Sequence, residues 1–353
     1  MRPSPCSRQA SPLAANDDLV EKIGGTTRDH HRGLPPSQPG RVQMTHQPKP
    51  DYLLIGVGSG YSGVSRLVAE ILISRGESVR AMARRDDGRF DALRELGAEI
   101  VAGDLTNPDD VVAAMSGINR VFFNVSVSAD YLEAAAVVTA LARDREELDV
   151  LVNMSHMAVS QATSTAASHP QRLHWLSEHI MNWSGIPVVH VRPTVFLDNP
   201  LFTILASQSV TEHGLLALPF GQGRTSPIAA IDVARVIATI LADPAHRRHA
   251  YDLTGPTVLD IDGLAEQYAH ALGRPVSGVD LPYDDFVNML HTVPGISPHI
   301  VQHLLTVAKL HRDDRYNQLT DDVEQVTGHP PQTVEQYIAA HRDLFVIPSL
   351  TTG

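Results

Sequence analysis

Residues 51–75 read D-Y-L-L-I-G-V-G-S-G-Y-S-G-V-S-R-L-V-A-E-I-L-I-S-R. The apolar run Leu53 to Val57 has the make-up of a buried strand and ends in a glycine-dense turn. Val64, Leu67, Val68, Ile71 and Leu72 then recur at helical spacing. Between strand and helix, Gly58-Ser59-Gly60-Tyr61-Ser62-Gly63 fits G-x-G-x-x-G, in the context that gives this motif its meaning. One glycine supports a tight turn, one lets the backbone approach a pyrophosphate, and one lets helix and strand pack closely. The free N–H groups at the helix start, together with the helix dipole, then favour a phosphate. A glycine-rich turn that binds nothing has the same local pattern, so later residues must decide.

The next strand, Ser78 to Ala83, runs into Arg84-Arg85-Asp86-Asp87. In dinucleotide folds an acidic residue about twenty positions after the glycines takes the ribose hydroxyls, and an arginine there accommodates a 2′-phosphate. Arg84 stands at that distance and favours NADP(H). Asp86 and Asp87 keep NAD(H) open, as they do a solvated charge cluster. A helix near Arg89 to Leu96 ends at Gly97, and a third strand spans Ala98 to Ala102. Asp104 follows at a carboxyl strand end, where ligands of open α/β sheets collect, although a turn or cap residue fits there too. Thr106 with Pro108 opens a helix, Asn119 to Val125 is a fourth strand with Asn124 at its exit, and Asp130 to Arg145 is helical. Asp149 to Met154 is a fifth strand ending in Ser155. Strands and helices alternating over short joints predict an α/β fold, a Rossmann-type doubly wound parallel sheet.

The chain has 353 residues, 43% hydrophobic and 19% charged, enough for a large core and for one big domain or two. A formal net charge of -12 argues against a broad nucleic-acid surface. Cys6 is the sole cysteine, so no intramolecular disulfide forms, in keeping with a reducing cytoplasm. No apolar run approaches the roughly eighteen residues of a membrane span. Residues 1–50 are rich in Pro, Ser, Arg, Asp and Gln, have no sustained period, and are expected to be a disordered leader without a secretory h-region. Met44, just before the first strand, is a candidate start. The eighteen histidines raise the question of a metal. His169, His174 and His179 do not share a helix face, and His299 with His303 lack an accompanying acidic motif, so solvated or capping roles and no metal are expected.

Residues 169–200 read H-P-Q-R-L-H-W-L-S-E-H-I-M-N-W-S-G-I-P-V-V-H-V-R-P-T-V-F-L-D-N-P. Pro170 to Trp183 is expected to be a helix and Pro187 to Val191 a sixth strand. His174 and Glu178, four apart, share one helix face. With this segment on the page, the chain resembles the NmrA-like NAD(P)-binding family of atypical short-chain dehydrogenase/reductases, which includes NAD(P)H quinone reductases and azoreductases. The resemblance covers about Tyr52 to Phe345. It rests on the glycine turn, V-R-A-M-A-R at 79–84, G-D-L at 103–105, H-x-x-x-E at 174–178, S-G-I-P at 184–187 and R-P-T-V-F-L-D-N at 192–199. Further on, P-F-G-Q-G-R at 219–224, D-V-A at 232–234, L-T-G-P at 253–256, L-G-R-P at 272–275 and T-D-D-V at 320–323 continue it in order.

The resemblance implies that Gly58, Ser59, Gly60, Tyr61, Ser62 and Gly63 line the pyrophosphate and that Arg84 meets the 2′-phosphate. Asp104 and Leu105 would border the adenine, Asn124 and Ser155 would run along the cofactor toward the nicotinamide, and Phe196 and Asn199 would wall the substrate cleft. Two departures stand out. The family's T-G-A-T-G-x-x-G is here Gly56-Val57-Gly58-Ser59-Gly60-Tyr61-Ser62-Gly63, with Val57 in place of the first glycine. Where the wider superfamily has Tyr-x-x-x-Lys, this chain has His174-Trp175-Leu176-Ser177-Glu178. Ordinary ketone chemistry is thereby disfavoured. A quinone-like acceptor, whose reduced anion is far less basic than an alkoxide, remains within reach, with His174 donating a proton near neutral pH and Glu178 orienting it or raising its pKa; contact with the cofactor or packing of the cleft is the other role open to His174.

The expected organisation is a leader at 1–50, a dinucleotide-binding domain at 51–198, and a smaller, mostly helical lobe at 199–353 from which some segments return to the main sheet. In that lobe Leu201 to His213 is expected to be helical and Leu215 to Gly223 a short strand and turn. Asp232 would cap a helix through Leu241, Tyr251 to Leu253 would be a strand and Asp260 to Leu272 a helix. Tyr283 to Phe345 would be mostly helical. The partner is expected to be a small hydrophobic acceptor. A non-enzymatic NAD(P) sensor acting on a regulatory protein partner, isomerase or lyase chemistry with bound nicotinamide, and a homodimer all stay open.

Overall fold

The computed structural model describes residues 51–57, 63–86, 88–125, 128, 130–145, 147–161, 168–246, 250–296 and 298–346. The leader, with Cys6 and Met44, lies outside them, as do Gly58 to Ser62 and Asp87.

Seven parallel strands form the main sheet: β1 (Tyr52–Ile55), β2 (Val79–Ala83), β3 (Glu99–Ala102), β4 (Arg120–Phe123), β5 (Val150–Met154), β6 (Val188–Pro193) and β8 (Ala250–Leu253). Their order is β3-β2-β1-β4-β5-β6-β8, with the reversal of winding beside β1. Strand β1 explains the layering. Tyr52 and Leu54 enter one core and Leu53 and Ile55 the other, all fully buried, as the two-residue period of a strand between two helical layers requires. On one face lie α1 (Val64–Ser74), α7 (Ala230–Ala242) and α11 (Asp322–Thr327). On the other lie α3 (Pro108–Met115), α4 (Tyr131–Arg143) and α5 (His169–Ser184). A short helix, α2 (Asp91–Glu95), joins β2 to β3, and Gly97 follows it with φ +101°, a left-handed stop.

A third core belongs to the later part of the chain. It gathers a π-helical turn (Leu201–Ala206), α6 (Ser207–His213), the parallel pair β7 (Leu215–Leu218) and β9 (Ser277–Asp280), α8 (Ile261–Leu272), α9 (Tyr283–His291), α10 (Pro298–Arg312) and α12 (Val334–Ala340). Residues 230–242, 250–253 and 322–327 leave this lobe and return to the main sheet. Helix α7 packs along α1, and β8 pairs with β6.

Several expectations need correction. Asp232 does not cap α7. That helix begins at Ala230, whose N–H donates to the Asp198 carboxylate (2.9 Å), while Asp232 binds Arg235 (2.9 Å) and the Gln332 N–H (2.8 Å). The residues from Leu201 begin as a π-helical turn and become α-helical only at Ser207. Strand β9 went unread because S-G-V-D carries no run of β-formers. Its pairing with β7 holds it. Among the described residues the histidines are not mainly solvated: His190 and His311 are fully buried, and His156, His174 and His303 sit inward.

Candidate functional site

The carboxyl ends of β1, β4, β5 and β6 converge where the winding reverses, the position at which open α/β sheets hold ligands. Helix α1 opens there. Gly63 precedes it in the left-handed region (φ 58°) with open space where a Cβ would stand. Among the described residues no side chain caps α1 and its first turn holds no acidic residue, an opening that suits an anion. Val57 is buried in the core between sheet and helices, and Gly56 beside it takes φ 81°, so a left-handed turn survives where the family's first glycine is replaced. Asn124, leaving β4, donates to Ser65 Oγ (2.9 Å), and Ser65 donates to the Ile55 carbonyl (3.4 Å), tying the exits of β1 and β4 to the first turn of α1.

Arg84 leaves β2 two-thirds exposed and stands 3.5 Å from Asp130, at the start of α4. Asp86 pairs instead with Arg94. The Asp104 carboxylate accepts from both the Thr106 N–H (2.9 Å) and its hydroxyl (2.8 Å), which closes a turn and holds the carboxyl below its ordinary value. Leu105 packs half-buried against the core under α3 and α4. Phe196 and Asn199 form the turn after β6: the Asn199 N–H donates to the Phe196 carbonyl (3.0 Å), and Asn199 Oδ1 accepts from the Leu201 N–H (3.0 Å).

The expected pairing of His174 with Glu178 is not formed. His174 Nδ1 meets the Tyr131 hydroxyl of α4 at 2.9 Å, and the His156 ring, just past β5, stands edge-on to it with centroids 4.8 Å apart. Burial, with His303 adding to it, holds the His174 imidazole down at about 4, and Glu178 opposes this only weakly. At neutral pH His174 is therefore uncharged. Burial, then His174, His303 and Arg192, hold the His156 imidazole well below its ordinary value, and burial lowers His303 of α10. Glu178 belongs to Arg192 of β6, which grips it through two bonds of 2.9 and 2.5 Å. Burial would raise this carboxyl, but the Arg192 hydrogen bonds and charge outweigh it, and the net shift is downward. Ser155 is buried close to the same carboxylate without a well-formed hydrogen bond to it.

The candidate site therefore brings Ser155 to Glu178 on the helix that carries His174, with Asn124 at the exit of the neighbouring strand β4 and Arg84 and Asp104 farther out along the strand ends. Tyr131, His156, Arg192 and His303 stand beside them, and the sequence reading assigns none of them to the site. His156 had a signal, since it directly follows a strand exit. His303 is weighed only with His299 as a metal pair: it comes from a helix of the other lobe. Among the described residues no group of three or more His, Cys, Asp or Glu could hold a metal ion.

The NAD(P)H-binding family matches residues 60–244, more than half of the chain. The chain belongs to this family. It is 28% identical over 293 residues to an NAD(P)H azoreductase of Xenophilus azovorans, covering 82% of this chain and 97% of that one. An NADPH-dependent quinone oxidoreductase of Escherichia coli, solved with NADPH, superposes with a TM-score of 0.70 at 17% identity, covering 82% of this chain and 99% of that one. NmrA, a negative transcriptional regulator, superposes at 0.68 with 15% identity, over 82% of this chain and 95% of that one. The two structures share the fold, as a NAD(P)H-binding chain of this topology requires.

Proposed function

We propose that this chain is an NADPH-dependent oxidoreductase reducing a hydrophobic, electron-poor acceptor of quinone type. The observation that carries the reading is the neutral His174, fixed by Tyr131 at the carboxyl end of β5, in a chain that belongs to a NAD(P)H-binding family. The names of the azoreductase and quinone-reductase relatives support it. Residues 51–198 bind the dinucleotide and residues 199–353 cover it. The bound dinucleotide supplies the hydride.

The chain's own residues do the rest. The first turn of α1, with the Gly58–Gly63 loop, holds the pyrophosphate. Arg84 exchanges its contact with Asp130 for the 2′-phosphate, which sets NADPH above NADH. Asp104 and Leu105 border the adenine, Asn124 and Ser155 line the way to the nicotinamide, and Phe196 and Asn199 wall the acceptor side. His174 works as a hydrogen-bond donor and not as an imidazolium acid. Its N–H polarises the acceptor oxygen, and the reduced anion, weakly basic, draws its proton from water. Glu178 and Arg192 act on α5, holding the turn that carries His174. A single cysteine fits a reducing cytoplasm.

The second reading is a dinucleotide-binding regulator, acting as a homodimer or on a protein partner. The absence of Tyr-x-x-x-Lys at 174–178 and the NmrA-like fold favour it. Purified protein titrated with NADPH and NADH, then assayed for NADPH oxidation over a quinone and azo-dye panel, decides between them. Acceptor-dependent oxidation is expected, and Arg84→Ala should weaken NADPH binding about tenfold while leaving NADH unchanged. Binding without turnover across the panel gives the function to the regulator. Failure to bind either dinucleotide sinks both.

A further inference from the structure

A cavity of about 680 Å³ opens between α9 and α10, away from the sheet. Its size lies within the roughly 300–1,000 Å³ of small-molecule sites. Leu290, Val293, Val301 and Leu305 make its wall apolar, and Gln302 and Lys309 supply polar groups. No carboxylate lines it among the described residues, although the chain carries a formal net charge of -12. Lys309 is exposed and has no ion-pair partner among the described residues. It is also unusual in this chain: Lys22 and Lys49 are the other lysines, and both fall in the leader.

Helix α10 borders both this cavity and the histidine site, on different faces. Val301, Leu305 and Lys309 follow one another at four-residue spacing along one face of α10. Gln302 and Thr306 flank that row, and His303 comes next around the helix. Thr306 stands at the border, its hydroxyl 3.1 Å from that of Ser168, the residue that precedes α5. The helix that carries His174 therefore starts at the rim of the cavity. Lys309 lies six positions after His303, a rise of about 9 Å along α10 and about 120° around it.

We propose that this cavity is the outer half of the acceptor site, and that it selects acceptors whose aromatic body carries a carboxylate or sulfonate. The apolar wall takes the rings. Lys309 takes the anion, about 9 Å along α10 from the level of the histidine cluster. The pairing is non-covalent and adds affinity without entering the chemical step. This inference rests on the reductase reading for its connection to turnover, but the binding site stands on the cavity alone.

The test uses the full chain and two fluorescent probes that need no turnover: 1-anilinonaphthalene-8-sulfonate and its neutral relative N-phenyl-1-naphthylamine. Lys309→Ala should weaken the sulfonate about fivefold and leave the neutral probe unchanged, and Lys309→Arg should restore it. Val301→Trp, which fills the cavity, should exclude both. Equal affinity of the sulfonate for the parent and Lys309→Ala overturns the proposal, as does loss of both probes in Lys309→Ala or retention of the sulfonate in Val301→Trp. NADPH is titrated on the same samples and should bind all variants alike. With a productive acceptor, Lys309→Ala should raise KM for anionic acceptors and leave kcat in place. A KM unchanged between anionic and neutral acceptors overturns the assignment to the acceptor site. Selective sulfonate binding by a chain that oxidises no NADPH removes the reductase reading and leaves the anion site.

Discussion

Glu178 is only 3% exposed and is still held charged, because Arg192, 17% exposed, meets it with two hydrogen bonds. Breaking a buried pair from one side leaves the other charge without compensation. Glu178→Gln should therefore lower stability by about 3–5 kcal/mol in urea unfolding. Replacing both partners together, Glu178→Met with Arg192→Met, should cost less than the single change; a double variant less stable than Glu178→Gln would refute the pair's role. The sequence shows only half of this arrangement. The four-residue spacing puts Glu178 on the face of His174, but it is silent about which neighbour crosses from the sheet. Arg192 stands fourteen positions later, in R-P-T-V-F-L-D-N, where it reads as part of a motif and not as a partner. His174 drew attention through its place in H-x-x-x-E. Its neutral state was not legible, because burial and His303 come from tertiary packing.

At the level of elements, helix α7 begins without any capping side chain of its own. Its first N–H is satisfied from outside, by Asp198 in the turn after β6. Burial raises this carboxyl, and the Ala230 N–H works against that rise. Asp198→Ala should cost about 1–2 kcal/mol, the size of a lost helix cap, whereas Asp198→Asn, which keeps an acceptor oxygen, should cost less. Equal unfolding midpoints for the Ala and Asn variants would contradict this. Local signals read most of the other elements to within a residue or two. The apolar runs of β1, β4 and β5 are surrounded by helices on both sides, so composition alone marks them. Strand β9 failed that test because its four residues owe their conformation to β7, and the π-helical turn at Leu201 failed because the same apolar spacing suits an α-helix.

Among the described residues burial pushes down the imidazoles of four inward histidines, His156, His174, His303 and His311, with His174 near 4 and His311 near 3. In the unfolded chain each titrates near its ordinary 6.5. Below that value the unfolded state binds more protons than the fold, so stability rises with pH there and is lost as pH falls from about 6.5 toward 4. Glu178, lowered from 4.5, adds a loss in the same direction further down, while Asp198 and Asp232, raised by burial, oppose it there. The urea midpoint should fall between about pH 7 and pH 5, and His311→Gln should flatten that slope. A midpoint unchanged over this range would count against neutral burial.

The later lobe divides the main sheet in the order of synthesis. Roughly sixty residues separate the end of β6 at Pro193 from the end of β8 at Leu253. A ribosome adding about 5–20 residues per second leaves the nascent sheet open at the β6 edge, and α1 bare on its α7 side, for about three to twelve seconds. An unpaired strand edge beside exposed apolar helix surface is what holdase chaperones recognise and what aggregates when they are absent. Yield in a recombinant host should therefore depend on chaperone supply during those seconds, even where the finished protein is stable.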